Sequence, residues 1–311
     1  MSDPLIDAVA RLREAGIPNP RLDARLLWEF AQTGSSLAEG GEGGPPRSDG
    51  GGGSRTRRPP PSRSAVALRS TSPAEAGEEP KAFASLITRR AAREPLAYIV
   101  GRKEFWSLDF AVGPGCLIPR PDTETLIEEL IRLHPDRAAP LAILDLGTGS
   151  GCLLIAALHE YPNARGVGID SGPDALAWAR TNLAVHRMAD RATLIETGWL
   201  EDADPGFDLV LCNPPYIPSG EIDGLEPEVS RYEPRAALDG GADGLDAYRA
   251  LARRIGRLLK PSGRALLELG AGQDRAVPGL MAAEGLETPQ IGRDLAGIPR
   301  CMVVKQPDRP I

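Results

Sequence analysis

The chain has 311 residues, of which 41% are hydrophobic, and its formal net charge is −7. This length suits about two globular domains, and an acidic chain lacks the basic surface that broad nucleic-acid binding needs. No apolar run is long enough to span a membrane, and Met1 is not followed by a secretory signal, so we expect a cytoplasmic protein. The four cysteines and three histidines are scattered without CxxC or HExxH patterns, so no disulfide framework and no metal site are predicted.

Apolar residues recur at helical spacing around residues 5–12, 22–30 and 83–87, which predicts three helices. Between the second and the third, residues 34–64 hold nine glycines, five prolines, six serines and one large apolar residue, Leu37. Such a segment buries too little surface to offset its ordering entropy. We therefore predict a helical N-terminal domain over residues 1–93, with a disordered low-complexity insert at 34–64. The arginines at the end of the insert suit an RNA or an acidic partner, although a solvated loop is the simpler interpretation.

Residues 96–112 alternate apolar and aromatic side chains, which predicts a β-hairpin within a linker over residues 94–122. From Leu141 onward, predicted strands alternate with predicted helices. This alternation indicates a doubly wound, mostly parallel α/β sheet in residues 123–311, and such sheets bind ligands at the carboxyl ends of their strands. The predicted strands are 142–146, 166–169, 192–195, 207–212, 264–269 and 301–305, and the predicted helices are 152–159, 173–185 and 246–259, with a further helix and strand near the end.

A glycine-rich loop follows the first of these strands. Glycines at alternate positions let a ligand approach the backbone, and Asp170, 19 residues after the last of them, is placed to accept the two hydroxyls of a ribose. Cys152 stands where a dinucleotide-binding GxGxxG pattern needs its third glycine, so S-adenosylmethionine is favoured over NAD. Trp199 offers a stacking surface for adenine or is a core aromatic residue, and Asp145 orients or caps the loop. The predicted cofactor residues of the loop are Gly147, Thr148, Gly149, Ser150 and Gly151.

Strand 207–212 ends in Asn213-Pro214-Pro215-Tyr216, which faces the glycine loop across the strand-order reversal. The prolines fix the backbone and remove N–H donors, so the Asn213 side-chain carbonyl and the Pro214 carbonyl form a rigid pair of acceptors. A planar NH₂ group would donate one N–H to each, while Tyr216 packs on its plane. Amide nitrogen is a poor nucleophile because its lone pair is delocalised, and a fixed orientation makes transfer possible. Asn213, Pro214 and Tyr216 are the predicted catalytic residues.

Several longer motifs carry a family resemblance. They run from Arg93 to Ile99, from Ile118 to Glu124 and from Tyr232 to Leu238, and the last is followed by Gly240-Gly241 and Asp243-Gly244-Leu245. Together with Asn-Pro-Pro-Tyr they resemble the release factor glutamine methyltransferase family (PrmC/HemK), a class I S-adenosylmethionine-dependent family. The likeness extends from about Arg89 to the end of the chain, and more loosely over residues 1–33.

The resemblance implies a seven-stranded methyltransferase sheet and N5-methylation of the glutamine in the Gly-Gly-Gln motif of class 1 peptide-chain release factors. It implies that Gly147 to Gly151, Asp170, Trp199 and Asn213 contact S-adenosylmethionine. It also implies that Asn213, Pro214, Pro215 and Tyr216 hold the glutamine, while the helical N-terminal domain docks the release factor. We expect a monomer without membrane or direct nucleic-acid partners.

Two alternatives remain open from the sequence. The first is a methyltransferase acting on adenine N6 or guanine N2 of a nucleic acid, which would use the same Asn-Pro-Pro-Tyr chemistry. The acidic chain and the lack of a base-recognition domain weigh against it. The second is a non-catalytic module that docks translation factors, and the intact glycine loop and Asn213 weigh against that.

Overall fold

The N-terminal region is helical, as predicted. The computed structural model describes residues 3–33, 81–198 and 205–308, so the predicted insert at 34–64 lies outside the described residues. The first helices are α1 (Pro4–Glu14), α2 (Pro20–Thr33) and α3 (Lys81–Ala91). Asp3 caps α1 by accepting the Leu5 N–H at 2.9 Å. The three helices enclose a small core around Leu12, Leu27 and Phe83, which is why short helices that are weak alone are stable together.

The hairpin prediction is correct for residues 102–111 and wrong for residues 96–100. Leu96–Val100 forms the short helix α4, which is followed by the antiparallel strands β1 (Arg102–Phe105) and β2 (Leu108–Ala111). Pro95, with φ −55°, immediately precedes the helix, and Gly101, at φ +73°, ends it in the left-handed conformation. The proline and the glycine at its two ends thus favour a helix here over the strand that the alternating pattern indicated.

Residues 124–133, to which the sequence interpretation assigned no element, form α5 (Glu124–Leu133) after a 3₁₀ turn at Pro121–Thr123. Leu126, Ile127 and Leu130 of α5 are fully buried. They recur at helical spacing, so the signal was present in the sequence. The 3₁₀ turn places Thr123 beside Asn213, which follows a central strand of the sheet.

A seven-stranded sheet forms the body of the chain, which confirms the predicted fold class. Its spatial order is β5-β4-β3-β6-β7-β9-β8; β9 runs antiparallel to both of its neighbours, and the other six strands share one direction. Five of its seven strands are thus parallel in one block, as strand–helix alternation predicts. The strands are β3 (Ala142–Leu146), β4 (Arg165–Asp170), β5 (Ala192–Glu196), β6 (Phe207–Cys212), β7 (Leu259–Glu268), β8 (Glu287–Arg293) and β9 (Pro299–Lys305).

Helices cover both faces of the sheet. One apolar core contains residues of α5, α6 (Cys152–Glu160) and α7 (Pro173–Val185), and the other contains residues of α9 (Asp246–Leu258) and α10 (Ala276–Ala283). The short helix α8 (Pro227–Ser230) lies in the long connection between β6 and α9. The strand order reverses between β4 and β6, on either side of β3. The loops after these three strands therefore meet at one crevice.

Candidate active site

The glycine loop sits where β3 ends, opposite the end of β6. Leu146 pairs with Ile169 on β4 and with Cys212 on β6, so the residues that follow these strands are neighbours. Gly147, Gly149 and Gly151 have φ values of +71°, +56° and +79°. Residues with a Cβ rarely adopt these φ values, so the path of the loop requires glycine at these alternate positions.

Most N–H groups of this loop already have acceptors within the protein. Those of Gly147 and Thr148 both donate to the Ile169 carbonyl at 2.9 Å, and that of Gly151 donates to the Thr148 carbonyl at 2.7 Å. The Gly149 N–H donates to Asp170 Oδ2 at 2.8 Å. A dinucleotide-binding loop instead directs free N–H groups at a pyrophosphate. This loop is therefore suited to a ligand without phosphate.

Asp145 supports the loop from beneath. Its side chain is almost completely buried, and Oδ2 accepts a hydrogen bond from the Thr148 hydroxyl at 2.7 Å. Burial raises the pKa of Asp145 to about 7, although the bond from Thr148 opposes the rise. The interpretation that Asp145 orients the loop is thus supported, through the Thr148 side chain rather than through backbone N–H groups.

Asp170, at the end of β4, holds two loops with one carboxylate. Oδ2 accepts the Gly149 N–H and Oδ1 accepts the Gly172 N–H, both at 2.8 Å. Each carboxylate oxygen has capacity for more than one hydrogen bond. The carboxylate also lines the cavity described below, so it can accept hydroxyl donors from a ligand while it fixes the backbone.

The Asn213–Tyr216 segment forms the opposite wall. Asn213 Nδ2 donates to Thr123 Oγ1 at 3.2 Å, and the Tyr216 hydroxyl donates to Glu268 Oε1 at 3.2 Å. Gln273 Nε2 donates to the Tyr216 carbonyl at 3.1 Å. Two side chains and the backbone of the segment are therefore fixed by separate contacts.

Two cavities meet at Asn213. The larger, of 320 Å³, is lined by Gly147, Thr148, Gly149, Ser150, Asp170 and Asn213 among others. The smaller, of 210 Å³, is lined by Asn213, Pro214 and Tyr216 together with Ile217, Leu225 and Leu238. Leu117, Arg120, Asn213 and Ala237 border both. The glycine loop and Asp170 thus line one cavity, Pro214 and Tyr216 line the other, and Asn213 borders both; Pro215, predicted to hold the substrate, lines the larger cavity instead.

Family models and sequence relatives agree on one family. The model of the Methyltransferase small domain matches residues 122–224, and that of the PrmC N-terminal domain matches residues 62–101. The release factor glutamine methyltransferase of Rhodospirillum rubrum is 41% identical over 95% of this chain and 82% of its own length. This chain belongs to the release factor glutamine methyltransferase family. The protein of the same name from Geobacter sulfurreducens is 46% identical over 72% of this chain and 77% of its own.

A solved structure also bears a related name. It is a release factor-specific protein-(glutamine-N5) methyltransferase from Alicyclobacillus acidocaldarius, 30% identical, with a TM-score of 0.38 over 64% of this chain and 100% of that one. The family assignment itself rests on the sequence relatives. It agrees with the resemblance inferred from the motifs, and the range matched by the methyltransferase model contains the glycine loop, Asp170 and Asn213–Tyr216.

Two residues of the family motifs take positions to which sequence reasoning assigned no role. Arg120 borders both cavities, and its guanidinium donates to Glu233 Oε1. Glu233 is buried and also accepts the Ile118 N–H at 3.1 Å, and burial raises its pKa although Arg120 opposes the rise. The motifs quoted above contain both residues. Their residue types alone do not reveal that they pair across the site.

Glu268 and Thr123 were also missed. Glu268 contacts the Tyr216 hydroxyl, and Thr123 contacts Asn213 and lines the larger cavity. Glu268 ends β7, where its carboxyl side chain is 1% exposed. A lone glutamate after an apolar strand is a usable signal, because burying a carboxylate is costly unless it has partners. Trp199 lies outside the described residues, so its predicted adenine contact stays a prediction.

The described residues contain neither a metal-binding cluster nor a membrane-spanning helix. Within residues 3–33, 81–198 and 205–308, no cluster of three or more His, Cys, Asp or Glu side chains is arranged to bind a metal ion. In the same ranges no helix has both the length and the apolar composition that crossing a membrane requires.

Proposed function

We propose that the protein transfers a methyl group from S-adenosylmethionine to N5 of the glutamine in the Gly-Gly-Gln motif of class 1 peptide-chain release factors. The observation that carries this proposal is the position of Asn213, which borders both the cavity at the glycine loop and the smaller cavity at Tyr216. A group held in one cavity and a group held in the other would meet beside its side chain. The names of the relatives supply the substrate class.

The larger cavity fits S-adenosylmethionine in three respects. The loop N–H groups that would bind phosphate are already used. Asp170 has acceptor capacity for two ribose hydroxyls beyond the two N–H groups that it holds. A Cβ at Gly149 would meet nothing closer than the Gly147 carbonyl, at 4.0 Å, so the loop is open on that side. Bound S-adenosylmethionine supplies a methyl group on a positively charged sulfur.

The smaller cavity suits a planar amide. Asn213 Nδ2 is engaged by Thr123, which leaves Oδ1 to accept one N–H of a substrate glutamine. The Pro214 carbonyl would accept the other N–H, and the Tyr216 ring would cover the plane. Two fixed acceptors orient the nitrogen and stabilise the positive charge that develops on it as the new N–C bond forms. The bond between the methyl group and sulfur would break as the N–C bond forms, leaving neutral S-adenosylhomocysteine, and one N–H proton would then pass to water to restore a neutral amide.

A third cavity, a groove of 740 Å³, offers a docking path for the release factor. It runs from Leu26 and Phe30 on α2 past Leu96 on α4 to Arg120, which also borders both inner cavities. We propose that the helical N-terminal domain, residues 1–93, and the linker, residues 94–122, dock the release factor here. We propose that the protein acts as a monomer in the cytoplasm, where release factors work.

The test is methyl transfer by the purified protein with isotope-labelled S-adenosylmethionine. The acceptors are a class 1 release factor, the same factor with alanine in place of the glutamine of Gly-Gly-Gln, duplex DNA and structured RNA. We expect label only in the unaltered release factor, and peptide mass spectrometry should locate it on that glutamine. Label in DNA or RNA alone would favour the nucleic-acid alternative. Tight binding of the release factor without transfer would favour the non-catalytic alternative.

A further inference from the structure

Arg120 stands where the three cavities of the site meet. It lines the cavity of 320 Å³ at the glycine loop, the cavity of 210 Å³ at Tyr216 and the groove of 740 Å³. The groove and the smaller cavity also have Val229 in common. A segment of chain that passes from the groove into the smaller cavity therefore passes beside Arg120 and Val229.

The sequence around Arg120 holds its backbone extended. Pro119 and Pro121 flank it, and a residue that precedes proline is confined to extended conformations. Arg120 accordingly has φ −105° and ψ 143°, and the 3₁₀ turn begins at the next residue. The Cα–Cβ bond of Arg120 thus has a fixed direction.

Glu233 fixes the other end of the same side chain. Its side chain is 1% exposed, Oε1 accepts from Arg120 Nη2, and Oε2 accepts the Ile118 N–H at 3.1 Å. One carboxylate therefore holds both the backbone that leads to Arg120 and the guanidinium itself. A guanidinium held in this way loses less conformational freedom when it binds a ligand.

The guanidinium of Arg120 keeps hydrogen-bond donors for a ligand. It carries five N–H groups in a planar fork, and in the described part of the chain only Nη2 donates to an acceptor. The side chain is 36% exposed, so the remaining donors are accessible. Because Glu233 already balances its charge, the group suits a neutral acceptor such as a peptide carbonyl.

The two glycines of the proposed substrate leave only main-chain groups to recognise. A glycine has no side chain, so its carbonyl and its N–H are the groups that a protein can bind. With the glutamine amide in the smaller cavity at Asn213, the adjoining main chain lies at the opening of that cavity, beside Arg120. Carbonyls that leave water there need new donors, and the guanidinium supplies them.

We propose that Arg120 binds main-chain carbonyls of the Gly-Gly-Gln segment, and that Glu233 is the positioning residue that holds the guanidinium ready for them. The inference rests on the proposed function for the identity of the substrate. The larger cavity offers Arg120 a competing partner, the carboxylate of S-adenosylmethionine. The meeting of the groove and the smaller cavity at Arg120 favours the release factor, and the experiment separates the two partners.

The experiment compares a double-mutant cycle and a control with the wild-type full chain. The cycle consists of Arg120→Lys, which keeps the positive charge but has no planar fork, Glu233→Gln, and the two changes together. None of these leaves a buried carboxylate unpaired. Arg137→Lys is the matched control, because Arg137 is 40% exposed and pairs with Glu160. Arg137 precedes β3 and Glu160 ends α6, so this pair lies at the opposite edge of the sheet from the site.

We expect kcat/KM for release factor methylation to fall about 10- to 100-fold in Arg120→Lys, as for the loss of one hydrogen bond to a charged group. Glu233→Gln should lower it too. Because Glu233 acts through Arg120, the loss in the double variant should be smaller than the product of the two single losses. Arg137→Lys should stay within about twofold of the wild type. The Kd for S-adenosylmethionine, measured by calorimetry, should stay within about twofold in all variants.

A further measurement locates the contact on the substrate and is independent of turnover. The affinity for the release factor is compared with that for a release factor from which Gly-Gly-Gln is deleted, each with S-adenosylhomocysteine present. The deletion should weaken binding to the wild type and to Arg137→Lys, and the penalty should be about 10-fold smaller for Arg120→Lys. A role of Arg120 in folding alone would change both affinities by the same factor.

The inference is overturned if folded Arg120→Lys keeps the wild-type kcat/KM or the wild-type deletion penalty. It is also overturned if the Kd for S-adenosylmethionine rises in Arg120→Lys, which would assign the guanidinium to the carboxylate of that ligand. Losses that multiply in the double variant would remove Glu233 from the positioning role, and Arg120→Lys decides the question should Glu233→Gln not fold. Failure of the proposed function looks different, since the wild type itself would then transfer no methyl group to the release factor.

Discussion

Arg90 on α3 and Glu228 on α8 form an ion pair, with 2.8 Å between Nη1 and Oε1, that joins the helical N-terminal region to the connection following Tyr216. Their side chains are only 7% and 12% exposed. Arg90 also contacts Asp23 at 2.7 Å, and Arg93 contacts the second oxygen of Glu228 at 2.6 Å. The network spans both sides of the groove proposed to receive the release factor.

Removing the charge of Glu228 should therefore destabilise the folded protein. We expect Glu228→Gln to lower the free energy of unfolding by about 1–3 kcal/mol, because the buried Arg90 and the partly buried Arg93 lose a shared charged partner while Arg90 keeps Asp23. Asp223→Asn is the matched control in the same connection, since its pair with Arg235 is exposed and should contribute about 0–1 kcal/mol. Urea unfolding of both variants measures the difference, and equal losses would contradict this account.

Acid should weaken the same network. Burial opposes ionisation of Glu228, but hydrogen bonds from Arg93 and Arg90 outweigh it and leave the pKa below the ordinary value of 4.5. A depressed carboxyl pKa contributes stability that is present above 4.5 and is lost as the pH falls through the folded-state value. The free energy of unfolding, measured between pH 6 and pH 3, should thus decrease less in Glu228→Gln than in the wild type.

Gly244 packs against the backbone of Tyr216, so a substitution there tests whether this part of the Asn213–Tyr216 wall is held in place. A Cβ there would lie 2.4 Å from the Tyr216 carbonyl oxygen, and φ is +75°. Gly272 has φ +81° with nothing within 4 Å, so Gly272→Ala carries the backbone strain without the clash. We expect Gly244→Ala to lower both Tm and kcat well below those of Gly272→Ala, as measured by thermal unfolding and release factor methylation. Identical behaviour of the two variants would show that the carbonyl moves freely.

Asn213→Ala should abolish most methyl transfer while the fold survives. Loss of one preorganised polar contact to the reacting group costs about 10²–10³ in rate. The side chain makes one hydrogen bond to Thr123, so Tm should change little. Steady-state kinetics with release factor, alongside thermal unfolding, separate the two effects. A folded variant that keeps more than half of the wild-type kcat would remove Asn213 from the mechanism.

Asp170→Ala should weaken binding of S-adenosylmethionine about 10- to 100-fold, since a hydrogen bond to a charged group contributes about 1.5–3 kcal/mol. It also frees the Gly149 and Gly172 N–H groups, which loosens both loops. Calorimetry gives the Kd, with Asp174→Asn in the exposed first turn of α7 as the control. Unchanged affinity refutes the assignment, and binding of NAD would revive a dinucleotide site.

Deleting residues 34–64 should leave Tm and methyl-donor affinity unchanged. The prediction rests on composition, because these residues lie outside the described part of the chain. The helices α2 and α3, which flank the segment, contact each other directly through the edge-to-face pair of Trp28 and Phe83, with 4.9 Å between ring centres. If the arginines of the segment steer an acidic partner, KM for release factor rises, and more at low salt than at high salt. A drop in Tm of many degrees would show that the segment packs on the core.

The sequence allowed most of the fold to be predicted, because long apolar runs and glycine or proline ends coincide in the sheet region. The bounds predicted for Pro173–Val185 and Phe207–Cys212 match the observed elements. The error at Leu96–Val100 arose because five residues are too few to separate a helical from an alternating pattern. The glycine loop, Asp170 and Asn213 follow strand ends and are therefore predictable from topology. Thr123 and Glu268 reach the site from elements 90 and 55 residues away from Asn213 in sequence, and only tertiary packing brings them together.

The engaged N–H groups of the glycine loop have a consequence for competition among metabolites. ATP and NADH contain the same adenosine as the proposed methyl donor and differ from it beyond the ribose. A phosphate placed against this loop would give up its hydration and find backbone donors already committed to Ile169, Asp170 and Thr148. We therefore expect ligands that carry phosphate at this position to bind weakly, because their charge would be desolvated without new hydrogen-bond donors.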